Sequence, residues 1–285
     1  MKICELFQTK KTVCSFEIFP PKPTTPIQTV YETLDALKHL NPDYISVTYG
    51  AGGSQSKRTV EIAGLIKNKY GVEPLAHLTA LYQTEQSVLD FASELKQNGI
   101  DNVLALRGDR APDTKPAGVF HYANELVAFL KKHTDLNIVG AGYPEGHFES
   151  ESIQKDIEHL AKKVDAGVSH INTQLFFDNA DFYRFIERIR KAGIRVPVQA
   201  GIMPIIRKQQ IDRIVSLSGA KIPAGLARIF AKFSDHPDAL QSAGIAYATA
   251  QIVDLLSQDV DGIHLYIMNK PEVAKKIREN ICTLF

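Results

Sequence analysis

The sequence predicts an α/β fold, a single (β/α)8 barrel spanning residues 1–285. Eight short β-branched or apolar runs alternate with longer amphipathic stretches from end to end. The length of 285 residues suits one barrel of this class, for which about 250 residues is typical. Polar residues recur at the carboxyl ends of the predicted strands, where such barrels place their active sites. A doubly wound sheet is the alternative, and periodicity alone does not exclude it.

Each predicted strand is a short apolar run followed by turn residues. The strands are residues 12–19, 43–49, 74–80, 102–107, 137–143, 170–176, 196–202 and 262–268. The stretches between them have helical spacing, as at Val30, Leu34 and Leu37. The predicted helices are 27–40, 56–69, 84–98, 121–133, 150–166, 179–192, 207–217, 236–257 and 271–281. Residues 110–120 are predicted to form a long loop, and 218–235 an irregular insertion.

Composition narrows the classes of partner. The formal charge of +1 favours neither nucleic acid nor an anionic membrane. Three cysteines without a C-x-x-C pair indicate neither a disulfide framework nor a zinc cluster. Glu145, His147 and Glu149 have ligand chemistry, but no other cluster joins them, so we predict no metal. The polar N-terminus and the absence of a long apolar run lead us to expect a cytoplasmic protein.

The segment SFEIFPPK, residues 15–22, places a carboxylate in a predicted strand. By the period-two rule Val13, Ser15 and Glu17 share one face. Burying an unpaired charge is costly, so Glu17 needs either a partner or a chemical task. The structural alternative is an ion pair with Arg107 across the barrel mouth.

Five further strands end in hydrogen-bonding or ionisable groups. These are Thr48, His77, Arg107 with Asp109, Tyr143 and Gln174. Convergence at one end of a barrel makes them a candidate site, although each has a structural alternative. Asp109 could cap a loop, His77 could be a satisfied core histidine, and Gln174 a satisfied buried amide. The segment GAGYPEGH, 140–147, lacks G-x-G-x-x-G spacing, so we predict no Rossmann fingerprint.

Eight motifs resemble, in order and at matching spacing, those of the bacterial 5,10-methylenetetrahydrofolate reductases. They are SFEIFPPK, DYISVTYGAGGS, HLTA, VLALRGD, GYPEGH, KKVDAGVSHINTQLFFD, GIMPI and HLYIMNK. The resemblance covers almost the whole chain. It implies a barrel that binds FAD, takes hydride from NADH or NADPH in a ping-pong reaction, and reduces 5,10-methylenetetrahydrofolate to 5-methyltetrahydrofolate. That reaction feeds one-carbon metabolism and methionine synthesis.

The resemblance also implies roles for individual residues. Glu17 matches the general acid, Asp109 the aspartate that tunes the flavin, and Gln174 the glutamine that holds the pterin and contacts nicotinamide. Positions that bind FAD or shape its pocket are Thr48, Tyr49, Ala51, His77, Arg107, Gly108, Asp109, Tyr122, Ala123, Tyr143, His147, Asp156, His159, Lys162 and Lys163. Substrate-side positions are Glu17, Asp109, Gln174, Gln210 and Lys270.

Three positions depart from the family pattern. His159 replaces an asparagine, Lys270 replaces an arginine and loses its bidentate fork, and Ile214 stands where an aromatic residue often stacks. Folate and nicotinamide binding are therefore less firmly implied than flavin binding. The family leads us to expect a homo-oligomer, often a tetramer, and no appended regulatory domain after the eighth unit.

The implied chemistry assigns Glu17 its task. Opening the five-membered ring of the substrate requires a proton on the departing nitrogen, and the 5-iminium cation so formed accepts hydride. Desolvation should favour the neutral, donating form of Glu17, and Asp109 should stabilise the cation. Arg107, Lys162 and Lys163 offer charge for the FAD diphosphate.

Three competing interpretations remain open. A glycoside hydrolase could use Glu17 and Asp109 as its carboxylate pair, although the chain has no tryptophan for a sugar platform. A folate-binding protein without turnover is supported by Ile214 and Lys270. A flavin-free reductase would pass hydride directly from NADH.

Overall fold

The computed structural model describes residues 1–21, 25–49, 56–110 and 115–285. Eight parallel strands close into a barrel in chain order, with the first strand paired to the second and the eighth. The strands are β1 Val13–Ile18, β2 Tyr44–Val47, β3 Glu73–Thr79, β4 Asn102–Leu106, β5 Asn137–Gly142, β6 His170–Thr173, β7 Val198–Ile202 and β8 Gly262–Tyr266. The predicted (β/α)8 barrel is therefore confirmed, and the doubly wound sheet is excluded.

Helices follow each strand and surround the barrel. In the described residues they are α1 Leu6–Thr9, α2 Gln28–Leu37, α3 Ser56–Asn68, α4 Glu85–Gln97, α5 Ala123–His133, α6 Ile153–Asp165, α7 Asn179–Lys191, α8 Lys208–Ser218, α9 Ala224–Phe233, α10 Pro237–Ser257 and α11 Pro271–Ile281. Short 3-10 turns lie at Ile3–Glu5, Lys38–Leu40 and Cys282–Leu284. No helix in the described ranges is long and apolar enough to cross a membrane.

One predicted connection is wrong. Residues 218–235 were expected to be irregular, but α9 occupies most of them. Leu226 and Phe230 of α9 pack with Ile205 and Ile214 in an apolar cluster. This contact above the barrel stabilises a helix whose glycine-containing sequence is not strongly helical by itself.

The alternation along β1 follows the prediction. Cys14, Phe16 and Ile18 belong to the large core between the barrel and its helices. Glu17 lies on the inner face, hydrogen-bonded to Ser46 of β2. All six residues of β1 are buried, because a barrel strand is covered on both faces.

The N-terminal segment closes the lower end of the barrel. Ile3 and Leu6 join Val13 and Tyr44 in a second apolar cluster there. The Ile3 backbone N–H donates to Asn102 Oδ1 at 2.7 Å. With this end plugged, a ligand reaches the interior from the carboxyl ends of the strands.

Candidate active site

Glu17 lies inside the barrel near the carboxyl ends of the strands and is 7% exposed. Three groups approach its Oε2 atom from other strands. The Ser46 hydroxyl donates at 3.2 Å, and the Nε2 atoms of His77 and His264 each lie 3.5 Å away. His77 Nε2 is also 3.2 Å from Ser46 Oγ. A charge buried without partners would be costly, and these contacts supply the partners.

The expected raised pKa of Glu17 is wrong for this arrangement. Burial acts to raise the pKa of the carboxyl, but the hydrogen bond from His264, the proximity of His77 and the Ser46 hydroxyl outweigh it. The net pKa lies below its ordinary value, so Glu17 is ionised at neutral pH. Burial lowers the pKa of His77 to about 4 against the opposing effect of Glu17, so His77 is neutral.

Arg107 does not pair with Glu17. Its guanidinium is hydrogen-bonded to the Glu149 carboxylate on the loop after β5. That hydrogen bond raises the pKa of Arg107 and lowers the pKa of Glu149. The structural alternative proposed for Glu17 is therefore wrong, and the histidines from β3 and β8 take the place of the arginine.

A cavity of about 950 Å³ opens beside β4, β5 and α6. Nine of the predicted cofactor residues line it: Arg107, Tyr122, Ala123, Tyr143, His147, Asp156, His159, Lys162 and Lys163. Several other lining residues were not predicted to bind the cofactor, among them Leu81, Arg110, His121, Asn124, Glu149 and Lys155. The spread of these residues over three successive βα units explains why only a folded barrel shows the cavity.

Lys163 brings a cation to the cavity wall. Its Nζ donates to the Ala141 carbonyl and lies 5.8 Å from the centre of the Tyr143 ring. Burial lowers the pKa of Lys163 to about 8, with Asp156 acting in the opposite direction. Tyr143 and His147 pack edge to face with ring centroids 4.6 Å apart. The cavity thus combines cations with aromatic surface, a combination suited to an anionic ligand with a planar ring.

Five predicted cofactor residues lie elsewhere. The Thr48 backbone N–H donates to the Ile18 carbonyl, and the Tyr49 ring packs against Phe91 of α4. His77 lies beside Glu17 inside the barrel. Gly108 and Asp109 follow Arg107 in the loop after β4, where Asp109 is exposed. A sixth predicted residue, Ala51, lies outside the described residues.

Gly108 has a positive φ of 85°, a conformation that favours glycine. A Cβ atom there would lie 2.8 Å from the Cβ of Thr79. The loop after β4 therefore passes close to the end of β3, which brings Asp109 to the barrel mouth.

The predicted substrate residues are spread around the rim. Gln174 directly follows β6, and its Oε1 accepts from the Leu175 backbone at 2.8 Å. Gln210 Oε1 accepts from the Ile206 backbone at 2.8 Å. The Lys270 Nζ atom lies 3.9 Å from Oε1 of Glu272, in the first turn of α11. Ile214 is buried in the apolar cluster of α8 and α9.

Sequence reasoning missed three polar residues around Glu17. They are Ser46, His264 and Tyr266. Ser46 precedes the predicted Thr48 by two residues in β2, and His264 and Tyr266 lie two residues apart in β8. Tyr266 donates to the Thr173 carbonyl at 2.7 Å, and its ring lies 5.1 Å from that of His264. The period-two rule that grouped Val13, Ser15 and Glu17 would also have placed His264 and Tyr266 together on one face of β8.

Comparison with known proteins identifies the family. A family model described as methylenetetrahydrofolate reductase matches residues 2–282. This chain belongs to the methylenetetrahydrofolate reductase family. Membership in this family supports methylenetetrahydrofolate reductase activity, an oxidoreductase reaction of folate metabolism.

Relatives of the methylenetetrahydrofolate reductase family match most of the chain. The 5,10-methylenetetrahydrofolate reductase of Escherichia coli is 36% identical over 264 residues, covering 92% of this chain and 88% of that protein. Methylenetetrahydrofolate reductase (NADH) 1 of Arabidopsis thaliana is 35% identical over 98% of this chain, but the match covers 50% of the plant protein.

A solved structure with low sequence identity shares the fold. An uncharacterized protein from Clostridium thermocellum that binds two copies of 5-methyl-5,6,7,8-tetrahydrofolic acid matches with a TM-score of 0.70. The match covers 99% of both chains at 11% identity, so it supports the barrel fold alone.

Proposed function

We propose that residues 1–285 form a single catalytic domain that reduces 5,10-methylenetetrahydrofolate to 5-methyltetrahydrofolate, using FAD and hydride from NADH or NADPH. The observation that carries the flavin assignment is the cavity of about 950 Å³ lined by nine predicted flavin residues. Its volume lies near the top of the range of about 300–1,000 Å³ for ligand pockets. The name of the plant relative supports NADH as the donor.

The residues present fit an FAD molecule. Arg107, Lys162 and Lys163 would balance the charge of its diphosphate, and Tyr143 and His147 offer aromatic surface for a planar ring. Ala123 adds a small side chain at the cavity wall, where a ligand can approach closely. FAD bound there would supply two-electron hydride chemistry between the pyridine nucleotide and the folate.

Glu17 is the residue that we assign to proton transfer. In the free enzyme its carboxylate is held ionised by Ser46, His77 and His264. Folate covering the barrel mouth would remove water from Glu17 and raise its pKa, so that it takes up a proton. The described donors all reach Oε2, and we assign Oε1 to the substrate. From there the carboxylic acid would protonate the departing nitrogen as the five-membered ring opens.

Other residues of the rim would stabilise and orient the folate. Asp109 is exposed at the mouth, where its charge would favour the cationic folate over the neutral ground state. Gln174 would hold the pterin, although its Oε1 is bound to its own loop in the free enzyme. Gln210 and Lys270 would face the remainder of the folate.

The test separates the two half-reactions. Glu17→Gln keeps the size and polarity of the side chain but cannot supply an acidic proton. We expect this variant to bind FAD and to be bleached by NADH at the rate of the unmodified enzyme. Reoxidation by methylenetetrahydrofolate should slow by about 10²–10⁴-fold, the usual contribution of a positioned general acid. Stopped-flow absorbance measures both steps.

Glu73→Gln is the matched control. Glu73 is a largely buried carboxylate that pairs with Lys67, and it lies at the amino end of β3, away from the carboxyl ends of the strands where Glu17 lies. It should leave both half-reactions unchanged. Reoxidation of Glu17→Gln at the unmodified rate would remove Glu17 as the acid. Purified protein without flavin absorbance, and unable to take up FAD, would contradict the flavin assignment.

A further inference from the structure

A chain of buried polar side chains crosses the barrel below Glu17. Asn172 Nδ2 donates to the Tyr44 hydroxyl at 2.9 Å, and that hydroxyl donates to Gln199 Oε1. Gln199 Nε2 donates to Ser15 Oγ at 3.2 Å, and Ser15 Oγ lies 2.7 Å from His264 Nδ1. All five side chains are at most 3% exposed. The chain therefore links β2, β6, β7, β1 and β8 without contact with solvent.

The orientation of the Gln199 amide is determined by the backbone. Its Nε2 atom lies 3.3 Å from the Val13 carbonyl and 3.4 Å from the Ile263 carbonyl. Carbonyl oxygens can only accept, so the amide nitrogen must face them and the amide oxygen must face Tyr44. Burial raises the pKa of Tyr44 well above its ordinary value, so the phenol keeps the proton that it donates.

The Ser15 hydroxyl contacts Gln199, Tyr44 and His264, and we assign its hydrogen to His264 Nδ1. The Ser15 hydroxyl accepts a hydrogen bond from Gln199 Nε2, so its own hydrogen points to another acceptor. The distance from Ser15 Oγ to His264 Nδ1 is 2.7 Å, shorter than the 3.2 Å from Ser15 Oγ to Gln199 Nε2. A hydroxyl that donates to Nδ1 requires that nitrogen to carry a lone pair. Neutral His264 must then hold its proton on Nε2, the atom that faces Glu17 Oε2.

We propose that Gln199 is a positioning residue that fixes His264 in the Nε2–H tautomer, so that this N–H always points at Glu17. The catalytic meaning of the assignment rests on the proposed function, in which Glu17 is the acid. Tyr44 and Asn172 support Gln199 by holding the oxygen end of its amide. These hydrogen bonds therefore connect the centre of the barrel to Glu17.

The other tautomer would disturb Glu17. With its proton on Nδ1, His264 would direct a lone pair at the Glu17 carboxylate, and repulsion would replace a hydrogen bond. The polar groups that face Glu17 are Ser46 from β2, His77 from β3, and His264 with Tyr266 from β8. Losing the donor from β8 should therefore turn the carboxyl group away or leave it protonated in the free enzyme.

The decisive experiment is 15N NMR of protein labelled at histidine, with His264 assigned by the signal that disappears in His264→Gln. The unmodified protein should show His264 as the Nε2–H tautomer. Gln199→Met removes the donor to Ser15 at similar side-chain volume, so His264 should become a mixture or adopt the Nδ1–H form. Asn137→Ala is the matched control. The buried Asn137 amide donates to Asn102, and no described contact joins it to the hydrogen-bonded side chains that run from Asn172 to His264. It should leave the tautomer unchanged.

The same variants are then measured in the two half-reactions. Gln199→Met should slow reoxidation by methylenetetrahydrofolate by about 10-fold, the smaller effect expected of a residue that orients a functional histidine. Its reduction by NADH should be unaffected. Asn137→Ala should change neither rate.

Three results would overturn the proposal. They are an Nδ1–H tautomer in the unmodified protein, an unchanged tautomer in Gln199→Met, and a changed tautomer with normal reoxidation. The first needs no variant, so the proposal remains testable even if Gln199→Met fails to fold. Failure of the proposed function would instead be seen as normal turnover by Glu17→Gln, and it would leave the tautomer measurement intact.

Discussion

At the scale of single residues, Lys163 shows how burial prepares a cation for an anionic ligand. Its pKa is lowered to about 8, chiefly by burial, and at neutral pH it is still mainly protonated. Lys162 lines the same cavity but is exposed. A diphosphate would offset the free-energy cost of burying the Lys163 charge. The Lys162 charge is already hydrated, so pairing it with a phosphate should stabilise the complex less.

We therefore expect Lys163→Met to weaken FAD binding by roughly 10- to 100-fold, the range of a charge-assisted hydrogen bond of about 1.5–3 kcal/mol. Lys162→Met is the matched comparison and should have a smaller effect. In the unmodified enzyme, FAD affinity should fall as the pH rises through about 8, because Lys163 loses its proton. Titration of apoprotein with FAD, followed by flavin fluorescence, measures all three. Equal effects of the two variants would place the phosphates away from Lys163.

At the scale of elements, the loop after β8 is tied to the end of β1. Asn269 Oδ1 accepts from the Phe19 N–H at 2.8 Å, and Nδ2 donates to the Phe19 carbonyl at 2.9 Å. Asn269 has a positive φ of 53°, which asparagine tolerates better than most residues. This contact lies two residues beyond Glu17, so it holds the end of the strand that carries Glu17.

Two substitutions separate the hydrogen bonds from the backbone conformation. Asn269→Gly loses both hydrogen bonds but accepts the positive φ, so the free energy of unfolding should fall by about 1–2 kcal/mol. Asn269→Ala adds the left-handed penalty and should cost about 1 kcal/mol more. Urea denaturation measures both. Equal losses would show that no strain is stored at this position, and stability like that of the unmodified protein would show that the hydrogen bonds contribute nothing.

At the scale of the whole molecule, buried histidines make the barrel sensitive to acid. His170 is fully buried near the N-terminal plug, with its ring centroid 4.9 Å from that of Phe7. Its Nε2 atom has no hydrogen-bond partner among the described residues. Burial lowers the pKa of His170 to about 3.

The sign of the effect follows from proton binding. Below pH 6.5 the unfolded chain binds a proton at His170, whereas the folded chain does so only near pH 3. The contribution of His170 is therefore complete above pH 6.5 and is lost as the pH falls towards 3. Between pH 7 and pH 5 the free energy of unfolding should drop by about 2 kcal/mol from this group.

His170→Phe should remove that part of the pH dependence, measured by urea denaturation at pH 7 and pH 5. The control is His39→Phe, because His39 is exposed within the 3-10 turn after α2. It should leave the difference between the two pH values unchanged. An unaltered difference in His170→Phe would mean that His170 is charged in the folded protein or hydrated within the barrel.

Local pattern alone predicted a large part of this molecule. The alternation in β1 separated the face of Glu17 from that of Phe16, and the helical spacing of Val30, Leu34 and Leu37 predicted the buried face of α2. These features depend on neighbours along the chain, whose geometry is set by the periods of strands and helices. The helix α9 was missed because it packs in an apolar cluster with residues from other segments, among them Ile205 before α8 and Tyr247 of α10.

The sequence by itself determined eight alternating βα units and a face of β1 that Glu17 shares with Val13 and Ser15, and it carried motifs that resemble those of a folate reductase family. Only the tertiary structure decided that Glu17 is ionised in the free enzyme and that Arg107 pairs with Glu149. It also decided which of the predicted cofactor residues share one cavity. The burial of Glu17, which raises its pKa, could be predicted from the pattern of one strand. The groups that lower its pKa by more come from β2, β3 and β8. Those strands meet β1 only when the barrel closes, so the sign of the pKa shift is a property of the closed fold.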